Sequence, residues 1–284
     1  MESVGAPDRI QRVARDTSFR TVTYPAAVYG FLAFRVADAG GRPHPVLGQA
    51  ELRRALTQAV DRPATARALF GEGTRVPPGP MSQLLWIWDR DIRVLPFDSA
   101  GAREKVSGLK STRRIGTIDI LVPATSSTRR KLALVIQEAW RRAGIEATVT
   151  ALEFPVFQER LAKGQFDTYI GAYLDEPSPR GLADQWTRAG WGALNYGHYA
   201  NPVFDSLLSA ASRQQDFGKA KRQWREAMDT LNADAPAIFL YALANTAAVH
   251  RRLEGVKLDP YSWPSGLPTW RVDEGRRLGR DSVD

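Results

Sequence analysis

The stretch Phe166–Pro179, FDTYIGAYLDEPSP, decides the fold. Thr168–Tyr173 reads as a buried strand, and the chain leaves it on a loop that presents Asp175. Two strand–helix units come before it. Ile118–Val122 is a strand, and Ser126 or Ser127 caps a helix whose apolar stripe is Leu132, Val135, Ile136, Ala139, Trp140 and Ala143. Gly144 ends that helix, Ala147–Leu152 is the second strand, and Phe154–Lys163 is a short helix stopped by Gly164. The order βαβαβ predicts parallel strands with helical crossovers, hence an α/β layer. Asp175 then falls at the carboxyl edge of the sheet, outside which open α/β sheets bind their ligands.

Before this unit, Thr21–Tyr24 and Val28–Val36 read as short strands. Helices are expected from about Gln49 to Val60, from Pro63 to about Phe70, and from an Asp98 cap to about Leu109. Gly71–Pro80, with three glycines and three prolines, must be a loop, and Ser82–Arg93 carries Trp86 and Trp88 over an adjacent surface. After the Asp175 loop, Asn201-Pro202 starts one helix and another runs from about Phe217 to Ala233. Ala237–Tyr241 and Thr246–Val249 read as two strands that could pair as a hairpin, before a Pro- and Gly-rich tail.

Composition narrows the function. The 284 residues are 43% hydrophobic and 25% charged, ordinary for a globular chain, and no run approaches the length of a bilayer span. Cysteine is absent, which excludes disulfides, thiolate metal sites and cysteine catalysis. The net charge is +8, but the basic residues come as scattered pairs such as Arg129-Arg130 and Arg141-Arg142, on helix faces opposite the apolar stripe. A solvated face explains them better than a nucleic-acid patch, so no nucleic-acid partner is expected. The N-terminus as written lacks the apolar core of a secretory signal.

No phosphate-cradling loop, dinucleotide fingerprint or nucleophile elbow is present. His44, His198 and His250 lack a second ligand at helical spacing, so no metal, cofactor or catalytic residue is expected. What remains is a carboxylate among aromatics: Asp175 with Tyr173, Trp186, Trp191 and Tyr196 nearby in sequence. Such a set suits a cationic group, through charge pairing and cation–π contact. Equally, Asp175 could cap the next turn and the aromatics could be core.

Five stretches, in order over roughly residues 25–250, resemble the extracellular solute-binding proteins of family 5, the peptide, nickel and oligosaccharide receptors of ABC importers. Glu51–Arg62 is similar to the family's R-x-A-[LI]-x-x-A-[IV]-D-R helix, and Pro96–Lys110 to its P-[YF]-D-P segment. Asp175–Pro179 resembles its D-[YF]-x-[DE]-P loop, Tyr199–Leu208 its Y-x-N-P-x-[FY]-D helix start, and DAPAIFLY, ending at Tyr241, its closing D-x-P-x-[IV]-P-L-Y. The resemblance implies a periplasmic-binding-protein-like lobe, βαβ units with helices on both faces of a mixed sheet, flanked by strands of an incomplete first lobe. The expected division is 1–48 for first-lobe strands, 49–242 for the second lobe, and 243–284 for return strands and tail. Most of the first lobe, and a signal peptide, are expected to lie outside this chain.

The resemblance also implies a non-enzymatic receptor that closes two lobes around a peptide or similar solute and delivers it to ABC permease subunits. The full-length form would be periplasmic or held at the cell surface. In peptide-binding members the first Asp of the D-[YF]-x-[DE]-P loop pairs with the ligand's α-ammonium, and that position is Asp175. Three positions depart from the pattern: Ala172 stands for a usual Trp, Ser178 for the loop's second acid, and Phe239 for a Pro. Rival readings are the sensor domain of a transcriptional regulator, a remnant that binds nothing, and an unrecognised α/β hydrolase or transferase.

Overall fold

The structure, a computed structural model, describes residues 2–3, 7–71 and 73–277. In chain order its elements are β1 (Glu2–Ser3), α1 (Pro7–Arg15), β2 (Phe19–Phe34), α2 (Ala50–Gln58), α3 (Arg62–Phe70), α4 (Ser99–Thr112), β3 (Ile118–Pro123), α5 (Ser127–Arg142) and β4 (Ala147–Leu152). There follow α6 (Phe154–Ala162), β5 (Thr168–Leu174), α7 (Leu182–Trp186), α8 (Pro202–Arg213), α9 (Phe217–Asp234), β6 (Ala237–His250), β7 (Leu253–Glu254) and β8 (Arg271–Val272).

The helices begin where short polar side chains accept the first free amides. Asp61 accepts from Ala64 N, Asp98 from Gly101 N, Ser126 from Arg129 N, Asn201 from Val203 N and Phe204 N, and Asp216 from Lys219 N. Each such cap contributes about 1 kcal/mol. Gly144 and Gly164 follow α5 and α6 with φ of 92° and 63°, a region that favours glycine.

Six strands form one mixed sheet in the order β1-β6-β2-β5-β3-β4. As expected, β3 runs parallel to both β4 and β5, with Ile118 opposite Ala147 and Ile120 opposite Thr168. β2 pairs antiparallel to β5 on one side and to β6 on the other. The strand period sorts residues to two faces. Phe31 and Ala33 join Leu121, Tyr169 and Phe239 under α6, α8 and α9. Leu32 and Phe34 join Ile118, Ile120, Val122, Ile170 and Ile238 under α2, α4 and α5. Trp140, fully buried on this second face, stacks on Phe34 at 6.2 Å and donates its indole N–H to Leu56 O. Helices on both faces of a mixed sheet match the expected class.

The structure departs from the expected elements in the long strands. The two runs before residue 36 are one 16-residue strand, β2, and the two runs after Ala237 are one 14-residue strand, β6, with no hairpin between them. The apparent break at Pro25 is a register shift between Pro25 and Tyr29, where an irregular ladder tolerates a residue without an N–H. Opposite it, Ala242 exchanges both backbone hydrogen bonds with Arg75. Helix α1 has no counterpart among the expected elements, which held only strands before residue 48. Among the described residues no helix is long and apolar enough to cross a membrane.

Candidate functional site

Four of the five motif stretches fasten to one another. Buried Arg53, in α2, donates to the carbonyls of Leu47, Asp234 and Ala235. Burial lowers its pKa to about 10, which still leaves it charged at neutrality. Asp234, at the end of α9, accepts from Tyr199 Oη at 2.8 Å and from Asn201 Nδ2 at 2.7 Å. The Y-x-N-P and D-x-P motifs therefore meet on one carboxylate. Arg62 donates to Leu95 O, and Asp98 N donates to Gln58 O, which stitches the first motif helix to the P-F-D segment. These residues are fasteners of the fold.

The fifth stretch, Asp175–Pro179, is held differently. Asp175 directly follows β5, at the carboxyl end of the three parallel strands, and its N–H donates to Ala27 O across to β2. The side chain is buried, and its Oδ2 accepts the backbone N–H of Ser82, a residue with no exposure at all. Burial pushes the Asp175 pKa up, against the lowering effect of the Ser82 hydrogen bonds, and among the described residues no basic side chain holds it down. Ser82 lies on the irregular segment between Gly71–Pro80 and α4. Sequence reasoning gave it no role, and no local pattern marks an amide that meets a carboxylate 93 residues on.

The aromatic candidates fall into three settings. Tyr173, on the same strand face as Asp175, is half-buried, packs 5.0 Å from the Phe31 ring and donates to Leu194 O at 2.7 Å. Trp186 is only 4% exposed; it lies in the core against Phe31 and Phe239 and donates its indole N–H to Tyr29 Oη. Tyr196 meets the edge of the Tyr169 ring at 6.1 Å. Trp191 belongs to another corner: its N–H goes to Tyr199 O, the Arg188 guanidinium lies 3.5 Å over its ring, and His198 abuts it edge-on.

Tyr29 links part of this set. It is fully buried on β2, donates to Gln185 Oε1, and its phenol is close enough to the Tyr173 hydroxyl and the Asp175 carboxylate for both to raise its pKa further, beyond the larger effect of burial. Sequence reading passed over it because it sits in an unbroken apolar run. The three departures from the motif pattern have local explanations. Ser178 caps the turn Pro179–Gly181, Ala172 pairs with Gly30, and Phe239 pairs with Phe31 in the sheet core. A wide groove between α3, α4 and α5, lined by Phe97, Leu134 and Val135, shares no residue with the Asp175 loop. Its Glu138 is already paired with Arg141 and Arg142. Among the described residues no group of three or more His, Asp or Glu could hold a metal.

The family model described as "Bacterial extracellular solute-binding proteins, family 5 Middle" matches residues 3–193. The chain belongs to this family. It is similar to the dipeptide-binding protein of Pseudomonas aeruginosa, 24% identical over 264 residues that cover 90% of this chain and 48% of the relative. The dipeptide-binding protein of Escherichia coli K12 is 23% identical over 269 residues, 89% of this chain and 48% of its own. Among solved structures, the oligopeptide-binding protein AppA of Bacillus subtilis, in complex with a nonapeptide, superposes with a TM-score of 0.76 at 21% identity, over 96% of this chain and 56% of that one. The substrate-binding protein CtaP of Listeria monocytogenes gives a TM-score of 0.82 at 17% identity, over 96% and 55%. This family 5 chain thus has the periplasmic-binding-protein-like fold and spans about half the length of the relatives it matches.

Proposed function

We propose that this chain carries the second lobe, and the strands leading to the first, of a solute-binding receptor for an ABC importer, and that it holds the amino terminus of a peptide or a similar primary amine at Asp175. The observation that carries the reading is the state of that carboxylate. It is buried, its pKa is raised by burial, and it has hydrogen bonds from Ser82 but no paired cation among the described residues. A ligand ammonium supplies the missing charge, and truncation of a buried charge pair typically costs 2–5 kcal/mol. Tyr173 offers its ring edge on the same strand face.

On this reading residues 49–242 form the ligand-binding lobe. The outer halves of β2 and β6, within 1–48 and 243–284, lead toward the first lobe, and hinge closure between lobes captures the solute. The permease subunits are the partners, the receptor does no chemistry on its ligand, and the full-length form works in the periplasm or at the cell surface. The membership supports this, as do relatives named for dipeptide binding. The test is a melting series with alanyl-phenylalanine and its N-acetyl form. The free dipeptide should raise the Tm, and the acetylated one and the Asp175→Ala variant should show no shift. Equal stabilisation by both peptides would end the ammonium reading.

A further inference from the structure

The segment after β6 closes on itself. β7 and β8 pair antiparallel, Leu253 opposite Val272, and form the neck of a loop over residues 255–270. Thr269 Oγ1 reaches Gly255 O and Gly266 O across the loop, at 2.7 and 2.8 Å. Gly255 has φ of 64°, and a side chain there would collide with the Thr269 carbonyl. Asp259 Oδ1 accepts from the amides of Tyr261 and Ser262, which fixes the tip. A compact loop with its ends together and its interior tied by its own groups is an Ω-loop, a form that is frequently functional.

Its tip lies at the candidate site. Tyr261 Oη is 3.5 Å from the carbonyl oxygen of Glu176, the residue next to Asp175. Burial is the main cause that raises the Tyr261 pKa, and the Asp175 charge adds to it, so the phenol is within electrostatic reach of that carboxylate. Yet 42% of Tyr261 remains exposed, and Trp263, two residues on, is 48% exposed. An aromatic side chain braced at its base, with its hydroxyl beside the Glu176 carbonyl and the rest open, is placed to meet a third body beside Asp175.

We propose that the loop 255–270 is a second wall of the amine site, and that Tyr261 is a specificity-determining residue whose ring covers a primary ammonium paired with Asp175. The inference rests on the reading of Asp175 as the ammonium partner and goes beyond it, since it places both walls within this one chain. The ligand class is an organic cation with an apolar or peptide body: Asp175 supplies charge, and the Tyr261 ring supplies cation–π and apolar contact. Both contacts to the ammonium then come from this one chain.

The test uses the chain as it stands, with alanyl-phenylalanine as the probe in calorimetry and a carbon-13 carboxyl titration of Asp175 without ligand. Tyr261→Ala should weaken dipeptide binding about tenfold and let the Asp175 pKa fall back toward the ordinary value as water gains access. Tyr261→Phe keeps the ring and should retain most of the affinity. Unchanged affinity in Tyr261→Ala, or an unchanged Asp175 titration, overturns the second wall, as does failure of the wild-type chain to bind the dipeptide at millimolar concentration. Asp175→Ala separates the two readings. Binding lost in Asp175→Ala but intact in Tyr261→Ala refutes the loop and leaves the ammonium site standing. Binding intact in Asp175→Ala refutes the ammonium site itself.

Discussion

Asp175 is buried with hydrogen bonds and, among the described residues, without a cation, so its cost to the unliganded chain has a sign. A carboxyl group with a higher pKa folded than unfolded binds more protons in the folded state between the two values. Stability therefore falls as pH rises from the ordinary value near 3.8 through the raised one, and the penalty persists above it. Asp175→Asn, which still accepts from Ser82, should be more stable than the wild type at neutrality by roughly 0.5–2 kcal/mol, the usual gain from relieving a functional site. The difference should shrink toward acid pH. Urea midpoints of both proteins across pH check it; a variant less stable at neutrality would mean that the charge is compensated. Removing the Asp234 side chain should instead destabilise the fold. Its carboxylate is shared by Tyr199 and Asn201, and Asp234→Ala should cost about 2–3 kcal/mol in urea unfolding at neutral pH. The motif letters around Tyr199, Asn201 and Asp234 were legible in the sequence, but their meeting was not, because a contact spanning 35 residues leaves no periodic trace. The position of Asp175 just after a strand was legible, because a strand end is a local signal.

At the level of elements, legibility followed the same rule. Most of the helices were legible, and five of them, α3, α4, α5, α8 and α9, start at a capping side chain: Asp61, Asp98, Ser126, Asn201 and Asp216 each accept from the first turn; the short α7 was not expected, and its start has no side-chain cap. The long strands were not legible as single strands. Pro25 reads as a stop, yet β2 continues through it because the ladder to β6 shifts register there. Gly30 shows why that shift is tightly specified. It pairs with Ala172 on one side and Tyr241 on the other, and a Cβ on Gly30 would fall inside the Tyr241 ring. Tyr241 cannot yield, since it is 4% exposed and packed 4.3 Å from Phe70. Gly30→Ala should cost about 1–3 kcal/mol, the usual penalty for overpacking a core, visible as a lower urea midpoint with an unchanged slope. A neutral result would show that the Tyr241 ring has somewhere to go.

Across the whole molecule the sheet is unevenly supported, and that bears on how a receptor of this kind would close. From Tyr29 to Ala33, β2 has a strand on each side and helices on both faces. From Phe19 to Pro25 it pairs with β6 alone, and Thr21 and Thr23 are exposed. The register shift between Pro25 and Tyr29 divides these two regimes, and Asp175 N bonds to Ala27 O within it. The Asp175 loop is thus tied to the point where a doubly supported strand becomes a singly supported one. Local opening scales with the contacts that must break, so native-state hydrogen exchange should separate the two halves of β2. Amides of Phe31–Phe34 should exchange only through global unfolding, and those of Thr21–Thr23 should exchange faster, by sub-global opening. Adding a ligand that pairs with Asp175 should slow exchange at Asp175 and Tyr29 before it affects Thr21, because the carboxylate is anchored on the Ala27 side of the divide. Equal protection along all of β2 would mean that the strand is one rigid unit and that any hinge lies elsewhere.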